Sequence, residues 1–262
     1  MLGFRWDYLE NYTLLNINKY FLQNGVKVTN GIKNAFTTVT FPNHFSIATG
    51  LFPESHGIVA NVMFDSKLNQ TFYDFGKSDN SSIWFGQSNQ TLPIWILNEL
   101  NTKSDRKSGI IGGFPGANVP FFNRTVAYSQ DYSNKLDWLT KVDNLLKLFT
   151  LEKEEDRINL GVLYFPEPDE TGHTYGPYSN EIKEILIKCD QTIGYLIERL
   201  LEMKLFDKMN IIITSDHGMD MVSFENSIDL NDYIDIKKFD SYGGLTQINI
   251  FPKNCKYFIQ YF

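Results

Sequence analysis

The sequence predicts an α/β layer fold with a largely parallel central sheet. Residues 158–165 (INLGVLYF) form a near-continuous apolar run closed by Pro166 and Pro168, and residues 210–214 (NIIIT) form a second. Apolar runs of that length suit strands buried on both faces. Helical apolar periods at residues 134–149 and 179–203 alternate with these runs. Strands alternating with amphipathic helices give a parallel sheet covered by helices.

The remaining elements follow in chain order. Residues 14–23 carry a helical pattern that stops at Asn24-Gly25, a usual C-terminal stop. Residues 26–28 read as extended, and 45–51 as a helix behind Pro42. A helix over 92–100 follows Thr91 and has Pro93 in its first turn. Residues 108–111 read as a short strand and 247–251 as a third buried one, while 61–90 form a polar excursion without clear period. No internal repeat interrupts this, so residues 1–262 read as one domain.

A chain of this length buries about three-quarters of its unfolded surface and needs no covalent staple. With 24 basic and 31 acidic residues the net charge is −7, which excludes a protein that coats nucleic-acid duplex but leaves room for a small phosphate ester. No apolar stretch reaches the roughly 18 residues of a membrane span, and residues 1–10 lack a basic-then-apolar signal pattern. Two cysteines, Cys189 and Cys255, exclude a disulfide scaffold and a cysteine-ligated zinc module, and leave their own pairing open.

Ligands of open α/β sheets sit beyond the carboxyl ends of the strands, which directs attention to the residues after Phe165 and after Thr214. After the first run comes PEPDETGH, whose prolines and Gly172 predict a shaped loop rather than a helix. There Asp169 and His173 offer a hard oxygen and an imidazole nitrogen, a pair that suits zinc or a similar divalent ion, although the spacing alone arises more often as an incidental polar loop. After the second run comes SDHGM, where Asp216 and His217 can share an ion only if the chain leaves strand geometry, with Gly218 as the residue that permits it. Thr40, just before Pro42, either caps a helix or places a hydroxyl where free N–H groups attract phosphate. As a nucleophile it needs a base or a metal ion to activate it. A helix-terminal hydroxyl and two Asp/His segments are the parts of a two-metal phosphoryl-transfer site.

Those residues resemble a known family. The runs TFPNHFSIATGLFPESHGIVANVMFD, PEPDETGHTYGP and ITSDHGM, with GFRWDYL at residues 3–9, are similar to the ectonucleotide pyrophosphatase/phosphodiesterase family of the alkaline phosphatase superfamily. The resemblance runs from residue 3 to about 251 and looks most like the short, membrane-anchored branch. It implies an alkaline phosphatase-like α/β/α sandwich. It also implies two zinc ions, one held by Asp169 and His173, the other by Asp216, His217 and Thr40. Thr40 would form a phospho-threonyl intermediate, Asn61 would bind the phosphoryl oxygens, and Phe41 would stack on the base. The products would be nucleoside 5′-monophosphates from a small nucleotide or phosphodiester substrate, released by a monomeric protein at the cell surface. Five N-x-S/T sequons, at Asn11, Asn69, Asn80, Asn89 and Asn123, fit that location.

Two departures from the family pattern set further expectations. The family places an Asp ligand immediately before Gly-Phe-Arg, where this chain has Leu2, and a third zinc-binding His far downstream of Asp-His-Gly-Met. The other two histidines, His44 and His56, lie in segments where the family has no zinc ligand. Against that pattern the chain is expected to lack its first strand and C-terminal part, and because catalytic zinc usually has three protein ligands, to bind zinc weakly and to have little or no activity. A catalytically inactive ectodomain that binds a ligand or partner, and a choline-lipid phosphodiesterase, are the rival readings.

Overall fold

The computed structural model describes residues 1–73, 81–85, 91–101, 105–121, 123–133, 135–244 and 246–253. In chain order the elements are α1 (Tyr8–Asn11), α2 (Leu15–Ile17, continued by a π-turn over Asn18–Leu22), α3 (Thr40–Thr49), α4 (Pro53–His56), β1 (Val62–Asp65), β2 (Gln70–Tyr73), α5 (Ser81–Phe85) and α6 (Ile94–Glu99). They continue with β3 (Ser108–Ile111), β4 (Tyr128–Ser129), α7 (Trp138–Phe149), β5 (Leu160–Leu163), α8 (Asp169–Tyr175), α9 (Asn180–Glu202), β6 (Phe239–Gly244) and β7 (Gln247–Pro252).

The central sheet runs β4-β3-β5, all parallel, with Ser108 opposite Leu160 and Ile111 opposite Leu163. Successive residues of β3 face opposite ways. Ile110 joins the core of α3 and α6 around Phe45, Trp95 and Val119. Ile111 meets Leu145 of α7 on the other side. The long helix α9, whose Ser179 side chain accepts the Ile182 N–H at its N-terminus, packs Ile182, Leu186 and Ile197 with Val142 and Leu146 of α7. Helices thus cover both faces of the sheet.

Two parts of the expected sheet differ. Residues 210–214 carry no strand ladder among the described residues. Ile211 and Ile213 pack on the α9 side, whereas Ile212 is 86% exposed. A strand is defined by its neighbour's hydrogen bonds, and here the inter-segment bond is the Met1 amino group to the Thr214 carbonyl at 3.1 Å. Residues 247–251 form β7, but they pair antiparallel with β6 in a separate hairpin with alternating burial, not as a buried strand. That hairpin meets the β1–β2 hairpin where Phe64 stacks on Tyr242, ring centroids 4.9 Å apart. Cys189 is buried in α9, and Cys255, Asn80 and Asn89 lie outside the described residues.

Candidate active site

The approach to α3 is fixed before the helix starts. The Asn43 side chain accepts the Ala35 N–H at 3.0 Å and donates to the carbonyls of Thr37 and Val39 at 2.8 and 3.0 Å. Val39 is therefore extended (φ −138°, ψ 165°) and occupies the cap position, with no side-chain cap bond. Thr40 is the first helical residue, and its hydroxyl is not spent on capping: Oγ1 lies 3.4 Å from His217 Nε2. Asn61 Oδ1 accepts the Phe41 N–H at 2.8 Å, one of the four N–H groups a helix start leaves unpaired. That bond fixes the amide's orientation and turns its NH₂ donor away from the helix. Phe41 is only 6% exposed and its ring meets Phe72 edge-on at 5.6 Å, so it belongs to the core.

Asp169 and His173 do not lie on a loop. They sit four residues apart on one face of α8, with His173 Nε2 3.5 Å from Asp169 Oδ2. Asp169 is buried, whereas the His173 side chain is 72% exposed. The second pair is set by Ser215. Its hydroxyl accepts the Phe4 N–H and bonds the His217 carbonyl, both at 2.8 Å, which bends the chain out of extended geometry. Gly218 makes no left-handed turn; a Cβ there would lie 3.3 Å from Arg5 Cα, so its role is close approach.

His217 Nδ1 lies 2.9 Å from the Gly218 carbonyl. A carbonyl only accepts, so Nδ1 carries a proton, and Nε2 is the nitrogen turned toward the carboxylates. Nε2 lies 3.2 Å from Asp216 Oδ2 and 4.0 Å from Asp169 Oδ1. Both carboxylate oxygens are buried and neither completes a hydrogen bond among the described residues, although His44 Nδ1 lies 3.2 Å from Asp216 Oδ2. Two carboxylates gathered in a buried space repel one another unless positive charge lies between them. Burial raises the Asp169 carboxyl above its usual range, partly offset by His217 and His173. Burial acts the same way on Asp216, but His44, His217 and the Gly3 N–H outweigh it and hold its carboxyl low.

Among the described residues no three carboxylate, imidazole or thiolate groups are gathered as a metal cage. The donors nonetheless have the chemistry of a divalent-ion site. Two buried carboxylate oxygens complete no hydrogen bond, an imidazole has its outer N–H on a backbone carbonyl as metal-bound histidines usually do, and a hydroxyl stands beside them.

A sequence model of the type I phosphodiesterase/nucleotide pyrophosphatase family matches residues 3–260. The chain belongs to this family. The bis(5'-adenosyl)-triphosphatase of Bos taurus is 39% identical over 234 residues, 89% of this chain and 49% of its own length. Family member 5 of the ectonucleotide pyrophosphatases/phosphodiesterases from Homo sapiens is 36% identical over 256 residues, 97% of this chain and 51% of its own. The chain thus spans about half the length of the curated relatives it matches. Among solved structures, murine family member 5, an inactive threonine-to-alanine variant in complex with AMP, superposes with a TM-score of 0.84 at 36% identity, over 98% of this chain and 66% of that one. The α/β sandwich of this type I phosphodiesterase-family chain is accordingly the alkaline phosphatase-like one.

Sequence reasoning missed three residues of this family member's site. His44 gives its Nδ1–H to the Thr40 carbonyl at 2.8 Å and lies 3.2 Å from Asp216 Oδ2, joining α3 to the second Asp/His pair. Its position four residues after Thr40, on the same helix face, was a readable signal. Asn43 and Gly3 act through long-range contacts, Gly3 by donating its N–H to Asp216 Oδ1 at 3.1 Å, and no local pattern reports those.

Proposed function

We propose that this chain carries a metal-dependent phosphodiesterase/nucleotide pyrophosphatase site with Thr40 as nucleophile. The observation that carries the reading is the meeting of Thr40 Oγ1 and His217 Nε2 at 3.4 Å beside two buried carboxylate oxygens that complete no hydrogen bond among the described residues. Asp216, His217 and Thr40 would hold one zinc ion, and Asp169 with His173 the other. When bound, the two ions would supply a lowered hydroxyl pKa and neutralise charge on the phosphoryl oxygens.

The chain's own groups do the rest. Thr40 gives up its hydroxyl proton to solvent, Oγ1 forms the bond to phosphorus, and the leaving oxygen departs with the electron pair of the broken P–O bond and takes up a proton from water. Water then cleaves the phospho-threonyl ester, releasing a nucleoside 5′-monophosphate and returning a proton to Thr40. The N-terminus of α3 favours the anionic phosphoryl group. The NH₂ of Asn61, held outward by the Phe41 N–H, donates to a phosphoryl oxygen. Phe41, 6% exposed as a residue, borders the nucleotide from the core side. The AMP held by the inactive threonine variant of murine family member 5 supports both the product class and a threonine's part in turnover.

We place the protein outside the cell or at its surface, as a monomer acting on small nucleotides. Three sequon asparagines, Asn11, Asn69 and Asn123, are exposed, as glycan attachment requires; peptide mapping after deglycosylation reads this directly. The nucleophile is tested with bis(5'-adenosyl) triphosphate. Thr40→Ala should lower turnover by about 10³-fold or more without moving the unfolding midpoint. Acid-quenched wild-type protein should carry phosphate on Thr40. A Thr40→Ala protein that keeps a substantial part of the turnover would refute the assignment.

A further inference from the structure

Residues 2–8 run between the two Asp/His segments and bond to both. The Asp169 N–H reaches the Leu2 carbonyl at 3.1 Å, and the Tyr8 hydroxyl reaches the Pro177 carbonyl at 2.8 Å, so one side is tied to α8 and the turn after it. The Gly3 N–H on Asp216 and the Phe4 N–H on Ser215 tie the other side to residues 215–216. A Cβ on Gly3, which has φ +67°, would lie 2.8 Å from Asp169 Cβ and Oδ1. The strap therefore fits between the carboxylates only at a glycine.

Arg5 closes this arrangement. Its Nε bonds Asp7 Oδ1 at 2.7 Å, and its Nη1 donates to the Met219 carbonyl at 3.0 Å and lies 3.2 Å from Asp220 Oδ1. The guanidinium rests over the Tyr178 ring, 5.3 Å from its centroid, and the Tyr178 hydroxyl donates to the same Asp220 oxygen at 2.8 Å. One planar cation thus touches three segments: the strap, the residues after His217 and the turn after α8. A fork of fixed N–H groups can do this, whereas a lysine point charge cannot bond all of them together.

We infer that Arg5 is a positioning residue that sets the spacing between the Asp169/His173 and Asp216/His217 pairs, and thereby the metal affinity of the site. The inference rests on the metal reading above. Arg5 touches neither the carboxylates nor Thr40, so its effect must travel through the strap and Asp220.

Calorimetric titration of the folded chain with Zn²⁺, and Co²⁺ titration followed by visible absorption, test it. Arg5→Ala should weaken both ions about tenfold or more and alter the Co²⁺ bands. Arg5→Lys should recover little of that loss. Tyr178→Phe, which keeps the ring and removes only its bond to Asp220, should lose a few-fold while remaining folded. If wild type binds and Arg5→Ala and Tyr178→Phe bind equally well with unchanged bands, the positioning role is overturned while the metal reading stands. A lowered unfolding midpoint with unchanged affinity overturns it in the same way, as a merely structural part. A wild-type chain that binds neither ion overturns the metal reading itself, and the inference with it.

Discussion

His56 Nδ1 accepts the Ile58 N–H at 3.1 Å, so its ring carries a proton on Nε2, 3.0 Å from Ser46 Oγ. The ring is buried against Phe45, and burial lowers its pKa to about 4 from an ordinary 6.5. The native state therefore holds His56 neutral, while the unfolded chain takes up a proton below about pH 6.5. Stability from this residue is fully present above the unfolded value and is lost as pH falls toward 4, a difference on the order of 3 kcal/mol. His56→Gln should flatten the fall of the urea midpoint between pH 6.5 and 4; an equally steep fall in the variant would locate the acid sensitivity elsewhere. Four histidines were visible in the sequence as motif members. That His56 is a core residue and that His44 reaches Asp216 needed the fold, because both depend on partners set by packing, whereas the contact of His44 with Thr40, four residues back, was readable from spacing.

At the scale of elements, α8 shows where local rules were overruled. Pro166, Pro168 and Gly172 argued against a helix, yet the prolines end before it and Pro168 stands at its cap. Gly172 is tolerated because Met219 takes the space beside it: a Cβ there would lie 2.6 Å from Met219 Sδ. Alanine raises helix propensity by about 1 kcal/mol over glycine, but overpacking costs about 1–3 kcal/mol. Gly172→Ala should thus lower the unfolding midpoint, and adding Met219→Ala should restore part of it. Additive losses in that double-mutant cycle would show that the two side chains are uncoupled. The helices with strong periods, α7 and α9, were legible with bounds within a few residues because burial of one face decides them, and β3 because its four residues are buried on both faces. The extra start of α3 at Thr40 was not, since Asn43 sets it through bonds to residues 35–39.

For the whole molecule, the alternation of runs and helical periods gave the layer order, but not which runs pair. Residues 210–214 alternate, with Ile211 and Ile213 against the α9 core and Ile212 turned out, 86% exposed. Among the described residues this segment has no ladder neighbour, so its peptide groups and Ile212 present an apolar edge. Such an edge is a template for pairing with another chain, and a lysine on it is a usual deterrent. Ile212→Lys removes no packed side chain, so its unfolding midpoint should stay within about 0.5 kcal/mol of wild type, as exposed substitutions do. Aggregation at concentrations above those where the protein is a monomer, read by light scattering, should fall. Ile213→Lys supplies the contrast, because it places a charge against the α9 side and should destabilise the fold outright. If Ile212→Lys proved as costly as Ile213→Lys, the outward face of 210–214 would be covered in solution and the edge would not be where molecules meet. If stability held but association did not change, contact between molecules would lie on another surface.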